Sequence, residues 1–302
     1  MASAALPGVS IVVCTRNRAP SLALTLEAIA RLDRGGLEAI ELIVVDNGST
    51  DGTARLLAEA QAGYPFPLRV ARQERRGLAR ARNLGLSRAG NALILMTDDD
   101  CQPFPDWARA TASAYGGDLL QVIGGAAHDA PDTIPDSERA FLVERTSSSL
   151  TRNHDLFGFI IGANLSFGRV VHERIGGFDV RLGAGTRLRS SEDADFVYRA
   201  FLDGIPVRYE AASQVLHDHR RTVADQVRMR FGYTMGDAAV ALKHARRDGG
   251  LLLKSLYWGF FGEVRGWRMK RWPLRRPAQY PLAFLRGAAD MAFQSVFVPA
   301  RD

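Results

Sequence analysis

The sequence predicts an α/β fold: a mostly parallel central sheet flanked by helices, followed by a helical C-terminal extension. Over the first hundred residues, short β-branched apolar segments alternate with segments of helical periodicity, which is typical of parallel sheets. Beyond residue 222 the pattern is helical. With 302 residues, 46% hydrophobic and 24% charged, the chain has an ordinary globular composition, which excludes a disordered chain, a collagen and a membrane-embedded transporter.

Four strands alternate with three helices in the first part of the chain. The predicted strands are 9–14, 41–46, 68–71 and 91–96, and the helices between them are 20–31, 51–62 and 77–88. Right-handed crossovers of this length place consecutive strands in parallel.

The second half is less regular. Its predicted elements are a loop with room for one helix at 128–152, a strand at 158–167, a mobile Gly- and Arg-rich loop at 181–191, a helix at 192–203, strands at 206–209 and 214–217, and helices at 222–271 and 281–297. We therefore predict an α/β domain over 1–220, divided into halves 1–100 and 101–220, and a helical basic region over 221–302.

Charge is distributed unevenly between these regions. The whole chain carries +6, but residues 1–216 carry −3 and residues 217–302 carry +9. Such asymmetry suggests an anionic partner, either nucleic acid or a membrane surface. Near the end, Trp258, Phe260, Trp267 and Trp272 alternate with arginines and Lys270. Three interpretations stay open for this basic amphipathic region: contact with anionic lipid, pairing of two subunits, or packing on the catalytic domain.

Targeting and membrane-spanning signals are weak. The N-terminus has no basic segment before its apolar stretch, and the longest apolar run, 251–262, contains Lys254 and is shorter than the ~20 residues of a spanning helix. Cys14 and Cys101 are too few for a disulfide framework and are interpreted as small core residues. We expect a cytoplasmic protein, with peripheral contact to the inner face of the membrane as an option.

Three polar turns mark the expected binding edge. They are 15–17, 46–47 and 98–100, each following a predicted strand. In open α/β sheets ligands bind beyond the carboxyl ends of the strands. Alternatively, these are ordinary turns rich in Asn and Asp. That explanation is adequate for a single turn, but less so for three turns at the same edge of the sheet.

Carboxylates at two places suggest catalysis. Asp98, Asp99 and Asp100 would repel one another, and a divalent cation such as Mg²⁺ or Mn²⁺ would relieve the repulsion. Glu192 and Asp193 begin a helix, where a favourable helix-dipole interaction is the simpler explanation. An imidazole at the end of the last strand could complete a metal site.

Together these segments resemble the family 2 glycosyltransferases of the GT-A fold, in the family's order and spacing. The similarity covers roughly residues 9–219 and is carried by 10–18, 44–51, 77–83, 98–100, 162–167, 175–179 and 192–193. It implies a Rossmann-like nucleotide-binding half and an acceptor half. The C-terminal third is not covered by this resemblance.

The resemblance implies a role for each matched residue on the donor side. Thr15, Asn17, Asp46, Asn83, Asp98 and Asp99 would bind a nucleotide sugar, with Asp46 on the base and Asp98 on the ribose. Asp100 would hold Mn²⁺ or Mg²⁺ across the diphosphate, with His217 as a further ligand and His219 as its competitor. A UDP sugar is favoured over dTDP or GDP sugars.

On the acceptor side, the resemblance implies that Asp193 is the general base and that Glu192 orients it or the acceptor. A single displacement would invert the anomeric centre. Arg181, Arg187 and Arg189 would fold over the donor, unless their loop is merely solvated. The acceptor would be a saccharide, a lipid-linked sugar or a natural product with a free hydroxyl, and not nucleic acid.

Three other classes compete with this interpretation. A dinucleotide oxidoreductase needs a glycine-rich fingerprint, and 14–20 contains no glycine. A sugar nucleotidyltransferase needs a Gly-rich basic N-terminal loop, which the sequence lacks. A non-catalytic binder of anionic surfaces would explain the basic region but leaves the acidic strand ends without a role.

Overall fold

The computed structural model describes residues 5–130, 146–151, 156–218, 223–250, 253–254 and 279–297. The strands are β1 Val9–Thr15, β2 Ile40–Asp46, β3 Leu68–Arg72, β4 Leu93–Asp98, β5 Cys101–Pro103, β6 Val122–Asp129, β7 Ser148–Ser149, β8 Leu165–Gly168 and β9 Val207–His217. They form one sheet with the strand order β3-β2-β1-β4-β8-β6-β9-β5, and β7 pairs with β9.

The first half of the sheet is parallel and the second half is mixed. β1 runs parallel to β2 and β4, and β2 runs parallel to β3. β8 is antiparallel to both β4 and β6, whereas β6 and β9 are parallel. The predicted parallel arrangement is therefore confirmed for β1 to β4, and β8 introduces the change of direction.

Helices cover both faces of the sheet. They are α1 Ala19–Ala30, α2 Thr53–Gly63, α3 Leu78–Arg88, α4 Trp107–Ala114, α5 Leu156–Phe159, α6 Arg169–Ile175, α7 Glu192–Leu202, α8 Val223–His244 and α9 Gln279–Phe297. Alternate strand residues face opposite sides, so Val12 packs in one core cluster with Phe196, while Ile11 and Val13 pack in another with Trp107. One hydrophobic core thus lies on each face of the sheet, and together they hold the carboxyl ends of the strands in place.

α3 lies unusually close to the sheet because of a glycine. A Cβ on Gly85 would be 2.4 Å from Cγ1 of Val12 on β1. The close approach brings the side chains of α3 next to the ends of β1 and β4.

Two predicted elements of the second half differ in the structure. Residues 158–167 are not one strand: α5 and a 3₁₀ turn, Gly162–Asn164, precede the short β8. The backbone N–H of Gly162 donates to a side chain of α7, so it is unavailable to a strand ladder. The predicted strands 206–209 and 214–217 form the single strand β9, whose pairing with β6 is shifted between Gly125 and Ala126.

The C-terminal helices pack on the rest of the molecule. α8 contacts α7, and Ala241 of α8 joins the core that contains Phe196. α8 also pairs with α9, where a Cβ on Gly287 would lie 2.1 Å from the carbonyl oxygen of Met235. α8 is thus packed against both α7 and α9.

Parts of the predicted C-terminal region lie outside the described residues. These are the tryptophan-rich segment and most of the predicted helix beyond residue 244, as well as most of the loop 128–152. Lipid contact, subunit pairing and the domain boundary at 220 stay predictions. Within the described residues, no helix combines the length and apolar character needed to cross a membrane.

Candidate active site

A cavity of about 840 Å³ opens at the carboxyl edge of the sheet, between β1, β4 and the start of α7. Seven of the residues predicted from the sequence line it: Thr15, Asp98, Asp99, Asp100, Glu192, Asp193 and His217. Residues more than 170 positions apart in the chain are thereby brought to one place, as the strand-edge rule predicts.

The acidic end of the cavity is neutralised by basic side chains. His217 Nε2 lies 3.1 Å from Asp100 Oδ1, and Arg18 pairs with both Asp99 and Asp100. Burial alone would raise the pKa of Asp100, but the bonds from His217 and Arg18 hold it below its usual range. The pKa of Asp99 is raised to about 6 by burial, against the opposing charge of Arg18 and a 2.7 Å hydrogen bond from Thr15.

The donor atoms at this end fit a hard divalent cation. One ligand atom each from Asp100, Cys101 and His217 lies within 4.8 Å of the others. Burial raises the pKa of the Cys101 thiol well above its usual value, so the thiol stays protonated and is a poor ligand. A carboxylate and an imidazole remain, a donor pair suited to Mn²⁺ and acceptable to Mg²⁺.

Arg82 connects the acidic end to the opposite wall. This side chain of α3 is buried; it donates to Glu192 at 2.8 Å and contacts Asp98 at 3.3 Å. The two carboxylates raise the pKa of Arg82 even though burial lowers it, so the guanidinium stays charged. Burial raises the pKa of Glu192 to about 7, with Arg82 opposing the shift and Asp193 adding to it.

Asp193 is positioned by the backbone of the 3₁₀ turn. Its Oδ2 accepts a 2.7 Å hydrogen bond from the N–H of Gly162, and its Oδ1 accepts one from the N–H of Ala194. A Cβ on Gly162 would lie 2.9 Å from that Oδ2 and 2.4 Å from Arg82 Nη2. The glycine therefore leaves room for both side chains at the same place.

Comparison with known proteins agrees with this geometry. The profile of the glycosyl transferase family 2 matches residues 10–175, more than half of the chain. The chain belongs to this family. Glycosyltransferase AglE of Haloferax volcanii is 29% identical over 120 residues, which make up 40% of this chain and 39% of AglE. The chain thus spans well under two thirds of that relative's length.

Solved structures show the same fold. TarS of S. aureus in complex with UDP-GlcNAc matches with a TM-score of 0.64 and 18% identity, covering 96% of this chain and 81% of that one. The mannosyltransferase PcManGT from Pyrobaculum calidifontis, in complex with GDP-Man and Mn²⁺, matches with a TM-score of 0.62 and 21% identity. The match covers 97% of this chain and 76% of PcManGT. The resemblance and the GT-A fold predicted from the sequence are confirmed.

Three residues predicted to bind the donor are not among those that line the cavity. Asn17 accepts a 2.7 Å hydrogen bond from the N–H of Thr50. Asp46 accepts one from Ser49 and pairs with Arg72 at 2.9 Å.

Asn83, the third of these residues, holds both backbone groups of Phe178, with bonds of 2.8 and 2.9 Å. The three side chains brace the loops around the cavity because their polar atoms are engaged by neighbouring groups. Direct donor contacts at these three residues stay predictions.

The arginine-rich loop 181–191 is better anchored than its composition predicts. Arg181 is buried in a two-point ion pair with Asp179, and Arg187 pairs with Asp290 of α9 at 3.0 Å. Of the three predicted arginines, Arg189 lines the cavity. The loop is anchored rather than solvated, since Leu182 and Leu188 are fully buried.

Sequence reasoning missed several residues that line the cavity. They are Arg18, Arg76 and Arg82, together with Met229, Tyr233 and Asp237 of α8. For Arg82 a signal existed: it lies on the face of α3 that carries Ala79 and Leu86, so a charge faces the core. For the α8 residues the sequence offered no signal that this helix reaches the cavity.

Proposed function

We propose that this protein transfers a sugar from a nucleoside diphosphate sugar to an acceptor hydroxyl by direct displacement, with inversion of the anomeric centre. The observation that carries the proposal is the position of Arg82, which contacts both Asp98 and Glu192. Arg82 therefore links the acidic strand end, whose residues suit a diphosphate with its metal ion, to the start of α7, whose carboxylates suit a general base. Both groups of residues face the same cavity.

Asp100 and His217 are the residues that would hold a divalent cation at the donor end. A bound Mn²⁺ or Mg²⁺ supplies positive charge for the diphosphate of the donor. PcManGT, solved with GDP-Man and Mn²⁺, supports this use of the fold. Arg16 and Arg76, which line the same side, add positive charge that favours the departing diphosphate.

Asp193 is proposed as the base that takes the proton of the attacking hydroxyl. Its two backbone hydrogen bonds fix the orientation of the carboxylate in the cavity, as a general base requires. Glu192 is less suited to this role because its Oε1 is engaged by Arg82. We assign Glu192 to orienting the site.

The donor is proposed to be a UDP sugar, which TarS binds in its complex. Asp46, predicted to select the base, lies outside the cavity lining, so the base has to be determined by experiment. We place the reaction in the reducing cytoplasm, where Cys14 and Cys101 would remain the free thiols of the structure.

A thermal-shift screen tests this proposal. UDP, GDP, dTDP and CMP sugars are added with Mn²⁺, with Mg²⁺ and with EDTA. One nucleotide class should raise the Tm by several degrees, and more so with Mn²⁺ than with EDTA. If none of the four classes changes the Tm with either metal, the proposed function is wrong.

A further inference from the structure

One wall of the cavity belongs to α8, outside the part of the chain matched by the family profile. Met229, Tyr233 and Asp237 all line the cavity. They are spaced four residues apart on a helix and therefore form one stripe along its surface. We propose that this stripe is the acceptor subsite and that it binds a pyranose ring, so that the acceptor is a saccharide or glycoside. The inference rests on the proposed function.

The stripe is held next to the predicted catalytic carboxylates. Asp237 Oδ1 accepts a 2.7 Å hydrogen bond from the hydroxyl of Ser191, the residue immediately before Glu192 and Asp193. The hydroxyl of Ser190 donates to the carbonyl of Gly232, one turn earlier on α8. A group resting on this stripe is therefore within the same small region as the Asp193 carboxylate.

Gly236 allows α8 to lie directly on Ser190 and Ser191, just before α7. A Cβ on Gly236 would be 2.2 Å from Oγ of Ser190 and 2.5 Å from Oγ of Ser191. Such a contact leaves no space for a larger residue, so the wall and the start of α7 are fixed relative to each other. Fixed geometry is what a site that aligns an acceptor hydroxyl with its base requires.

The chemistry of the stripe suits a sugar. Tyr233 is exposed to 49%, and its ring together with the thioether of Met229 offers an apolar surface to the C–H face of a pyranose. Asp237 is the polar member of the stripe, and a carboxylate is a multiple hydrogen-bond acceptor of the kind that recognises sugar hydroxyls. An apolar platform beside an oriented polar acceptor is the usual composition of a small-molecule subsite.

The test is saturation-transfer NMR on the full chain with p-nitrophenyl α- and β-glycosides of glucose, galactose, mannose and N-acetylglucosamine. At least one glycoside should bind, with saturation on its ring protons. Tyr233→Ala should weaken its binding about tenfold, and Tyr233→Phe, which keeps the ring, should stay within about twofold of the wild type. Asp237→Asn, which keeps an acceptor for Ser191, should weaken binding severalfold.

The matched control is Phe293→Ala, which removes an aromatic side chain that is also exposed, at 57%, and is absent from the cavity lining. Its glycoside affinity should equal that of the wild type. Unchanged affinity in a folded Tyr233→Ala variant, or no binding of any glycoside to the wild type, overturns the inference.

Nucleotide binding is measured on the same variants with UDP and GDP in the presence of Mn²⁺. Tyr233→Ala should retain it. If the wild type binds a nucleotide but no glycoside, the acceptor inference fails while the proposed function stands. If it binds a glycoside through Tyr233 but no nucleotide, the proposed function fails and the sugar subsite stands.

Discussion

Arg82 Nη1 donates to Glu192 Oε1 at 2.8 Å, joining α3 to the first residue of α7. Both side chains are buried, and Arg82 also contacts Asp98 at the end of β4. Two segments separated by 110 residues thus share one guanidinium. This contact fixes the end of β4 and the start of α7 relative to each other across the cavity.

Arg82→Met is therefore expected to destabilise the protein strongly. It leaves Glu192 buried without its cation, and breaking a buried pair costs about 3–5 kcal/mol. Chemical denaturation should show this loss of free energy of unfolding. Arg55→Met is the matched control because Arg55 pairs with Glu59 on an exposed surface, where the change should be below about 1 kcal/mol. Equal effects of the two substitutions would contradict the bridging role.

Arg18 is expected to compete with a metal ion for the acidic end. It pairs with Asp99 and Asp100, the latter a proposed ligand. Arg18→Ala should therefore tighten binding of Mn²⁺ alone severalfold, because the carboxylates lose a bound cation, whereas Asp100→Asn should abolish it. Isothermal titration calorimetry with MnCl₂ measures both. Mn²⁺ binding that is the same in wild type and Asp100→Asn would remove Asp100 from the site.

The stability of the protein should depend on pH through Glu192. Its pKa is raised from 4.5 to about 7 in the folded state, so the folded state holds the proton more tightly than the unfolded chain does. The stabilisation this provides is complete below about pH 4.5 and is lost as the pH rises through 7. Between pH 5 and 8 the Tm of the wild type should consequently fall by a few degrees more than that of Glu192→Gln. Parallel Tm curves for the two proteins would show that Glu192 does not titrate in this range.

A second buried charge cluster should hold α8 against α7. Asp195, fully buried on α7, contacts Lys243 at 2.6 Å and His244 at 2.9 Å, both on α8, and Arg199 at 2.9 Å. Burial raises the pKa of Asp195, but Lys243 and Arg199 overcome this and hold it well below its usual range. Lys243→Met should lower the free energy of unfolding by about 1–3 kcal/mol, less than a fully buried pair would because Lys243 is partly exposed.

The control for this cluster is Arg247→Met on the exposed surface just after α8. Its effect on the free energy of unfolding should be within about 0.5 kcal/mol of zero. A Lys243→Met variant as stable as this control would show that the cluster does not hold the two helices together.

The parallel half of the fold could be predicted from the sequence because its strands are continuous apolar segments. The bounds of β1, β2 and β4 lie within two residues of the predicted ones at every end. β6 was not predicted, since its segment 122–129 contains two glycines and two alanines in place of β-branched residues. α5 was taken for part of a strand because a short apolar run has no periodicity that separates the two.

The candidate site could be predicted for residues at the carboxyl ends of strands whose side chains face the cavity. It could not be predicted for residues whose side chains are engaged elsewhere by tertiary contacts. Asp98, Asp99 and Asp100 line the cavity as expected. Asp46 and Asn83 lie in motifs of the same kind, but their hydrogen bonds to Ser49 and Phe178 depend on tertiary contacts that the sequence does not reveal. The contribution of α8 depends on packing between distant segments, which is likewise invisible in the sequence.

Asp193→Asn tests the central claim most directly. The amide keeps an oxygen for the N–H of Gly162 but cannot take a proton from the acceptor hydroxyl. Sugar transfer, followed by mass spectrometry with the donor and glycoside found in the screens, should fall at least 100-fold, while the Kd for the donor stays within about twofold. Transfer at the wild-type rate by this variant would contradict the mechanism proposed for this cavity.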